Sequence, residues 1–133
     1  MNMREIKFRA WDKSAKRMMV VPILSFGHNG EGKTLIAEYK TEDGFDVGVV
    51  NGESGEIMQF TGLQDKNGRE IYEGDIVRWT SWNTKNPRPE QFKIEQIIWR
   101  EGSWQVPSSS FNFAIYSNKE IIGNIYENPE LLK

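Results

Sequence analysis

With 133 residues, 38% hydrophobic content, five Trp, seven Phe and four Tyr, the chain carries enough apolar bulk for one domain and no bias toward disorder. It has no cysteine, which excludes disulfides, thiolate metal sites and cysteine nucleophiles, and its single histidine, His28, excludes a multi-histidine metal centre. The net charge of −2 conceals an uneven distribution: residues 1–17 sum to +4, residues 38–75 to −7 and residues 76–100 to +3.

The opening "MNMREIKFRAWDKSAKR" has no apolar core of the kind a secretion signal carries, and no apolar run approaches the roughly 20 residues of a spanning helix. The expectation is a soluble intracellular protein with no membrane contact. In "IKFRAWD", Ile6, Phe8 and Ala10 alternate with Lys7 and Arg9, the period of a half-buried strand. "DKSAK" supplies a turn and "RMMVVPI" a returning strand, so the chain starts with a hairpin. "LSF", "TLIAEYK" and "FDVGVV" are further short strands, separated by "GHNGEGK" and "TEDG". "NGESG" reads as a flexible connection before "EIMQFTGL".

In "DKNGREIYEGDIVRW" the Asn67-Gly68 pair predicts a tight turn in which both residues accept left-handed geometry, and "EGD" predicts a second turn before a strand from Asp75. Gly62, Gly68 and Gly74 serve the backbone, while Phe60, Leu63, Ile71, Ile76 and Val77 belong to the core. The two prolines of "NTKNPRPE" make residues 83–90 an exposed loop. "FKIEQIIW", "REGS" and "WQV" form another hairpin, and the polar "PSSSFNF" reads as a mobile tract. The chain closes with a strand in "IIGNIY" and a helical turn at "NPELL", with Asn128 as N-cap and Pro129 at the first helical position. No long amphipathic helix and no internal repeat is visible.

Three chemistries are open to such a chain. The acids Asp65, Glu70, Glu73 and Asp75 could ligate Mg²⁺ or share a proton in a hydrolase, although turns attract Asp and Glu for local hydrogen bonding. The tryptophans Trp11, Trp79, Trp82, Trp99 and Trp104 could fill a core or an interface. Alternatively, Arg78, Trp79, Trp82, Lys85, Arg88, Trp99 and Arg100 form a candidate face on which bases stack and cations hold phosphates. An isoelectric point near 5.5 argues against strong general affinity for nucleic acid.

The stretches "MREIKFRAWDKSAKRMM", "MQFTGLQDKNGREIYEGDIV" and "IIGNIYENPELL", in this order, resemble the YopX protein family of bacteriophages and prophages of low-GC Gram-positive bacteria. Residues 20–55 and 83–118 carry no part of the resemblance. It implies one YopX-like domain over residues 1–133, with a mainly β, antiparallel, partly barrel-like fold of the small SH3-like kind and few short helices. It also implies possible self-association, and it brings no catalytic residues with it. The resulting expectation is a non-enzymatic phage accessory protein without cofactor or metal, forming a homo-oligomer and binding a phage or host protein in the bacterial cytoplasm. The alternative is a nucleic-acid-binding β-barrel in phage replication, recombination or expression.

Overall fold

The structure is a computed structural model that describes residues 5–26, 35–40, 42–44, 46–82 and 85–133. Strands account for 51% of it, one sheet forms a half-barrel, and the helical residues among those described lie in three short 3₁₀ turns. Every strand ladder among the described residues is antiparallel, so the mainly β, antiparallel, partly barrel-like expectation holds. His28 and the "GHNGEGK" loop lie outside the described residues, as do Asn83 and Thr84 of the proline loop. The chain divides into two compact units, one of residues 5–59 and one built on residues 60–133.

In the first unit β1 (Phe8–Asp12) and β2 (Arg17–Val20) make the expected hairpin, turned with Lys16 at φ 52°. Strands β3 (Ile23–Phe26), β4 (Leu35–Lys40) and β5 (Asp46–Val50) form a second sheet in that order. The period of two in β4 buries Ala37 and Tyr39 and exposes Glu38 and Lys40. Ala10, Ala37, Tyr39 and Val49 form the core, flanked by Met19, Val21, Val47 and Ile57. The Tyr39 hydroxyl donates to Asp12 Oδ2 at 2.7 Å, and the amides of Ser14 and Ala15 donate to Oδ1. Burial opposes the charge on Asp12, but these donors outweigh it and hold the carboxyl below its usual range. Burial and the Asp12 carboxylate push Tyr39 up to about 12.

"NGESG" is a fastened turn rather than a flexible connection. The amide of Val50 donates to Ser54 Oγ, and the amides of Glu53 and Ser54 return to the Val50 carbonyl. At its end Gly55 opens β6 (Gly55–Gln64), where a Cβ would lie 2.0 Å from the Trp11 carbonyl oxygen. Only glycine lets β6 lie this close to β1.

The second unit holds the latter half of β6 with β7 (Glu70–Tyr72), β8 (Asp75–Trp79), β9 (Lys93–Gln96), β10 (Ile98–Arg100), β11 (Ser103–Gln105) and β12 (Lys119–Asn124). β8 lies between β12 and β9, and the predicted hairpin exists only between β10 and β11, because "FKIEQIIW" is split and its first half, β9, pairs with β8. Ile71, Val77, Trp79, Ile97, Trp104, Val106, Phe113 and Ile121 make its core. Phe60, Ile71, Ile76 and Val77 are buried as expected, Leu63 packs against the core from its edge, and Gly62, Gly68 and Gly74 all have positive φ.

The Asn-Gly turn departs from expectation. Only Gly68 enters the left-handed region, and its amide donates to the Asp65 carbonyl at 3.0 Å. The Asp65 carboxylate explains the difference, because it rewards a longer turn by accepting the amides of Asn67 and Arg69, both at 2.9 Å. The paired left-handed residues occur instead at Glu101 and Gly102, which close the β10–β11 hairpin.

The "PSSSFNF" tract is not loose either: Phe113 is fully buried, and Ser108 donates through its amide and hydroxyl to Glu95. Asn128 does not cap the final 3₁₀ turn (Pro129–Leu132) with its side chain; its Oδ1 accepts from the amide of Asn124. Gly123 leaves room for that side chain, since a Cβ there would meet Asn128 Oδ1 at 2.5 Å.

Asp65 fastens this unit at its centre. While Oδ1 holds the turn, Oδ2 accepts the amide of Ile121 in β12 at 3.0 Å, joining segments 56 residues apart. Burial raises its pKa, yet the three amides prevail and the carboxyl stays below its usual range. Such a group stabilises the fold above its unfolded pKa, and the benefit disappears as pH falls through the lower folded value. Asp65→Asn should therefore be less stable than wild type at neutral pH in urea titrations, with the gap narrowing below about pH 4. Phe113→Ala, which empties a fully enclosed ring site, should lower the unfolding free energy by about 3–5 kcal/mol in the same assay.

Candidate binding site

The segment that follows β8 builds an exposed aromatic site in the second unit. Trp79, the last residue of β8, points inward at 4% exposure, and its indole Nε1 donates to Glu95 Oε2 at 2.9 Å. Its ring lies 4.6 Å from Tyr116 and 5.6 Å from Phe113 between centroids, so it is an aromatic core residue with no face left for a base. Thr80 is buried too; its amide donates to the Asn118 carbonyl and its hydroxyl accepts the Trp82 amide at 3.1 Å. Asn118 Nδ2 in turn reaches the Trp82 carbonyl at 3.3 Å.

Trp82 is therefore held by its backbone while its ring stands 55% exposed. A depression of about 350 Å³ lies on one side, bounded by Trp82, Glu90, Gln91 and Lys93. A smaller one of about 160 Å³ is bounded by Trp82, Ile115 and Tyr116, and Ile115 is 63% exposed. Thr80, Ser81 and Ser117 also line these depressions, so polar and apolar groups share their walls about equally.

The other proposed site residues have different placements. The Arg78 guanidinium stacks 3.6 Å from the Phe92 ring centroid, and the Arg88 side chain pairs with Glu90 at 3.3 Å. Arg100 braces its own hairpin, donating to Gln105 Oε1 at 2.8 Å and to the Ser109 carbonyl at 3.2 Å. Trp99 meets Trp104 edge to face at 4.8 Å and remains 53% exposed, and Lys85 is exposed in the proline loop. Of the seven residues, Trp79 and Trp82 line one depression together; Arg78 and Arg100 serve the scaffold. Lys93, Gln91, Ile115 and Tyr116 were not singled out from sequence. Lys93 reaches Trp79 only through the β8–β9 register, which no local pattern announces, and Ile115 lies in a stretch without periodicity.

Burial and backbone bonding claim part of the acidic group. Asp65 is occupied as described, and Asp75 accepts the Tyr72 amide at 2.8 Å while only 2% exposed. Glu70 is exposed and Glu73 half-buried. Among the described residues no three His, Cys, Asp or Glu side chains gather to hold a metal. No described helix is long and apolar enough to cross a membrane.

The first unit has a larger depression, about 660 Å³, on the β3-β4-β5 sheet between Pro22, Ile23, Tyr39 and Gly48. The Tyr39 hydroxyl on its wall is committed to Asp12, which removes the natural anchor for a polar ligand there.

The crystal structure of protein EF1440 from Enterococcus faecalis is similar to this chain, with a TM-score of 0.65, 26% identity, and coverage of 98% of this chain and 100% of that one. No curated protein matches. The model of the YopX protein family matches residues 7–133, taking in both segments in which the sequence shows no resemblance, and the chain therefore belongs to the YopX protein family.

Proposed function

We propose that this YopX family member is a non-enzymatic phage or prophage accessory protein that binds another protein in the cytoplasm of the bacterial host and associates with its own copies. The observation that carries this reading is Trp82. An aromatic ring more than half exposed, on a backbone fixed by Thr80 and Asn118 and facing Ile115 across a depression, has the form of an interface anchor. Little order is lost when a partner covers a ring whose backbone is already held. The structural employment of Asp65 and Asp75 supports the non-enzymatic part.

A second reading, binding of single-stranded nucleic acid, has one observation in its favour: Trp82 is followed in the chain by the exposed Lys85 and Arg88. It loses Trp79 to the core and Arg100 to the hairpin.

Sedimentation across a concentration series should give a species heavier than one chain, and a strictly monomeric protein would count against self-association. Tagged protein should capture a phage or host protein from infected cells. Trp82→Ala with Ile115→Ser should weaken that capture by about 2 kcal/mol or more, roughly thirtyfold in Kd, with little change in stability. Titration of labelled single-stranded DNA and RNA by anisotropy tests the second reading. Saturable binding whose salt slope falls on replacing Lys85 and Arg88 with Ala would favour it, and flat titrations would remove it.

A further inference from the structure

The outer edge of the second unit's three-stranded sheet is β9, with the sequence Lys93-Ile94-Glu95-Gln96. Its ladder with β8 pairs Val77 with Glu95, Arg78 with Ile94 and Trp79 with Lys93. The Ile97 amide donates to the Asp75 carbonyl, which makes that pair hydrogen-bonded. Antiparallel alternation then makes Val77/Glu95 and Trp79/Lys93 hydrogen-bonded pairs too, and turns the N–H and C=O of Ile94 away from β8. The opposite ladder agrees: the Thr80 amide donates to the Asn118 carbonyl, so the groups of Val77 and Trp79 are directed at β9. The Ile94 side chain is 46% exposed on the outer face.

We propose that β9 is a homodimer edge, where a second copy of the same strand adds antiparallel about a two-fold axis at Ile94. The proposal rests on the preceding reading that the protein associates with its own copies, and it says where they meet. Its warrant is self-complementarity. An axis at Ile94 lets each Ile94 exchange both backbone bonds with its counterpart, sets the two exposed side chains against each other, and places Lys93 opposite Glu95 of the second copy, twice.

Glu95 is prepared for this role. Trp79 Nε1, the Ser108 amide and the Ser108 hydroxyl fix its carboxylate on the face that Lys93 shares. An edge lysine ordinarily discourages pairing with a foreign strand, but here a second copy supplies the acid that receives it. The result is a continuous sheet ordered β12-β8-β9-β9-β8-β12.

Two substitutions test the edge without disturbing the ladder to β8. Ile94→Pro removes an N–H that β8 does not use, in the kind of edge position where proline is tolerated. Lys93→Glu sets like charges opposite each other across the axis. Sedimentation velocity on the full chain should show a dimer for wild type and for Trp82→Ala. Each β9 variant should raise the dimer dissociation constant about tenfold or more, with unchanged circular dichroism. Should Ile94→Pro fail to fold, Lys93→Glu alone decides. A wild type that sediments as one chain removes self-association itself and overturns the proposal with it. A dimer that survives both β9 variants overturns the β9 edge and leaves self-association standing.

Discussion

The Asp65 carboxylate is the constraint on which the second unit depends. Within one turn it satisfies two amides, and from the same position it takes a third from β12. A buried carboxylate is costly to hold charged, so it is tolerable only where donors surround it, and those donors fix the separation of the turn and the strand. Nearby, Lys119 is buried beneath the aromatic cluster: desolvation lowers its pKa while the Asp65 charge raises it, and its ammonium bonds the Tyr116 carbonyl. Asp12, Asp75 and Glu95 repeat the device by accepting backbone or indole donors. A chain without cysteine thus ties distant segments by charge-assisted hydrogen bonds.

This distribution of labour separates scaffold from surface. Arg78 and Arg100, which look in sequence like ligands for phosphate, are consumed by Phe92 and by a hairpin's own carbonyls. Trp79 completes an aromatic core with Phe113 and Tyr116. Trp82, three residues further on, emerges because Thr80 and Asn118 turn the chain outward. The same short stretch therefore provides a core anchor and an exposed ring.

The strands were legible where side-chain alternation is strong. β1 and β4 follow from apolar spacing, and the positive φ of Gly62, Gly68 and Gly74 follows from turn chemistry. Long-range pairing was not legible. Nothing local announces that β8 takes β12 as a neighbour, or that the polar serines of residues 108–110 lead to a buried Phe113. The turn at Asn67 was misjudged because the dipeptide preference was weighed without the Asp65 side chain two residues earlier. For the site, residue type grouped the exposed Trp82 with the buried Trp79, because exposure cannot be assigned among five tryptophans until the sheet fixes which faces point inward.

The placement of β8 between β9 and β12 has a consequence for biosynthesis. β9 leaves the ribosome soon after β8, but β12 starts only at Lys119, well after β8 ends at Trp79, so the central strand has one flank without its partner while the intervening segments are made. Ile121 and the amide that Asp65 awaits arrive in that same late segment. Folding of the second unit must then follow translation of β12 rather than accompany it, and the nascent chain depends until that moment on shielding of an apolar strand edge.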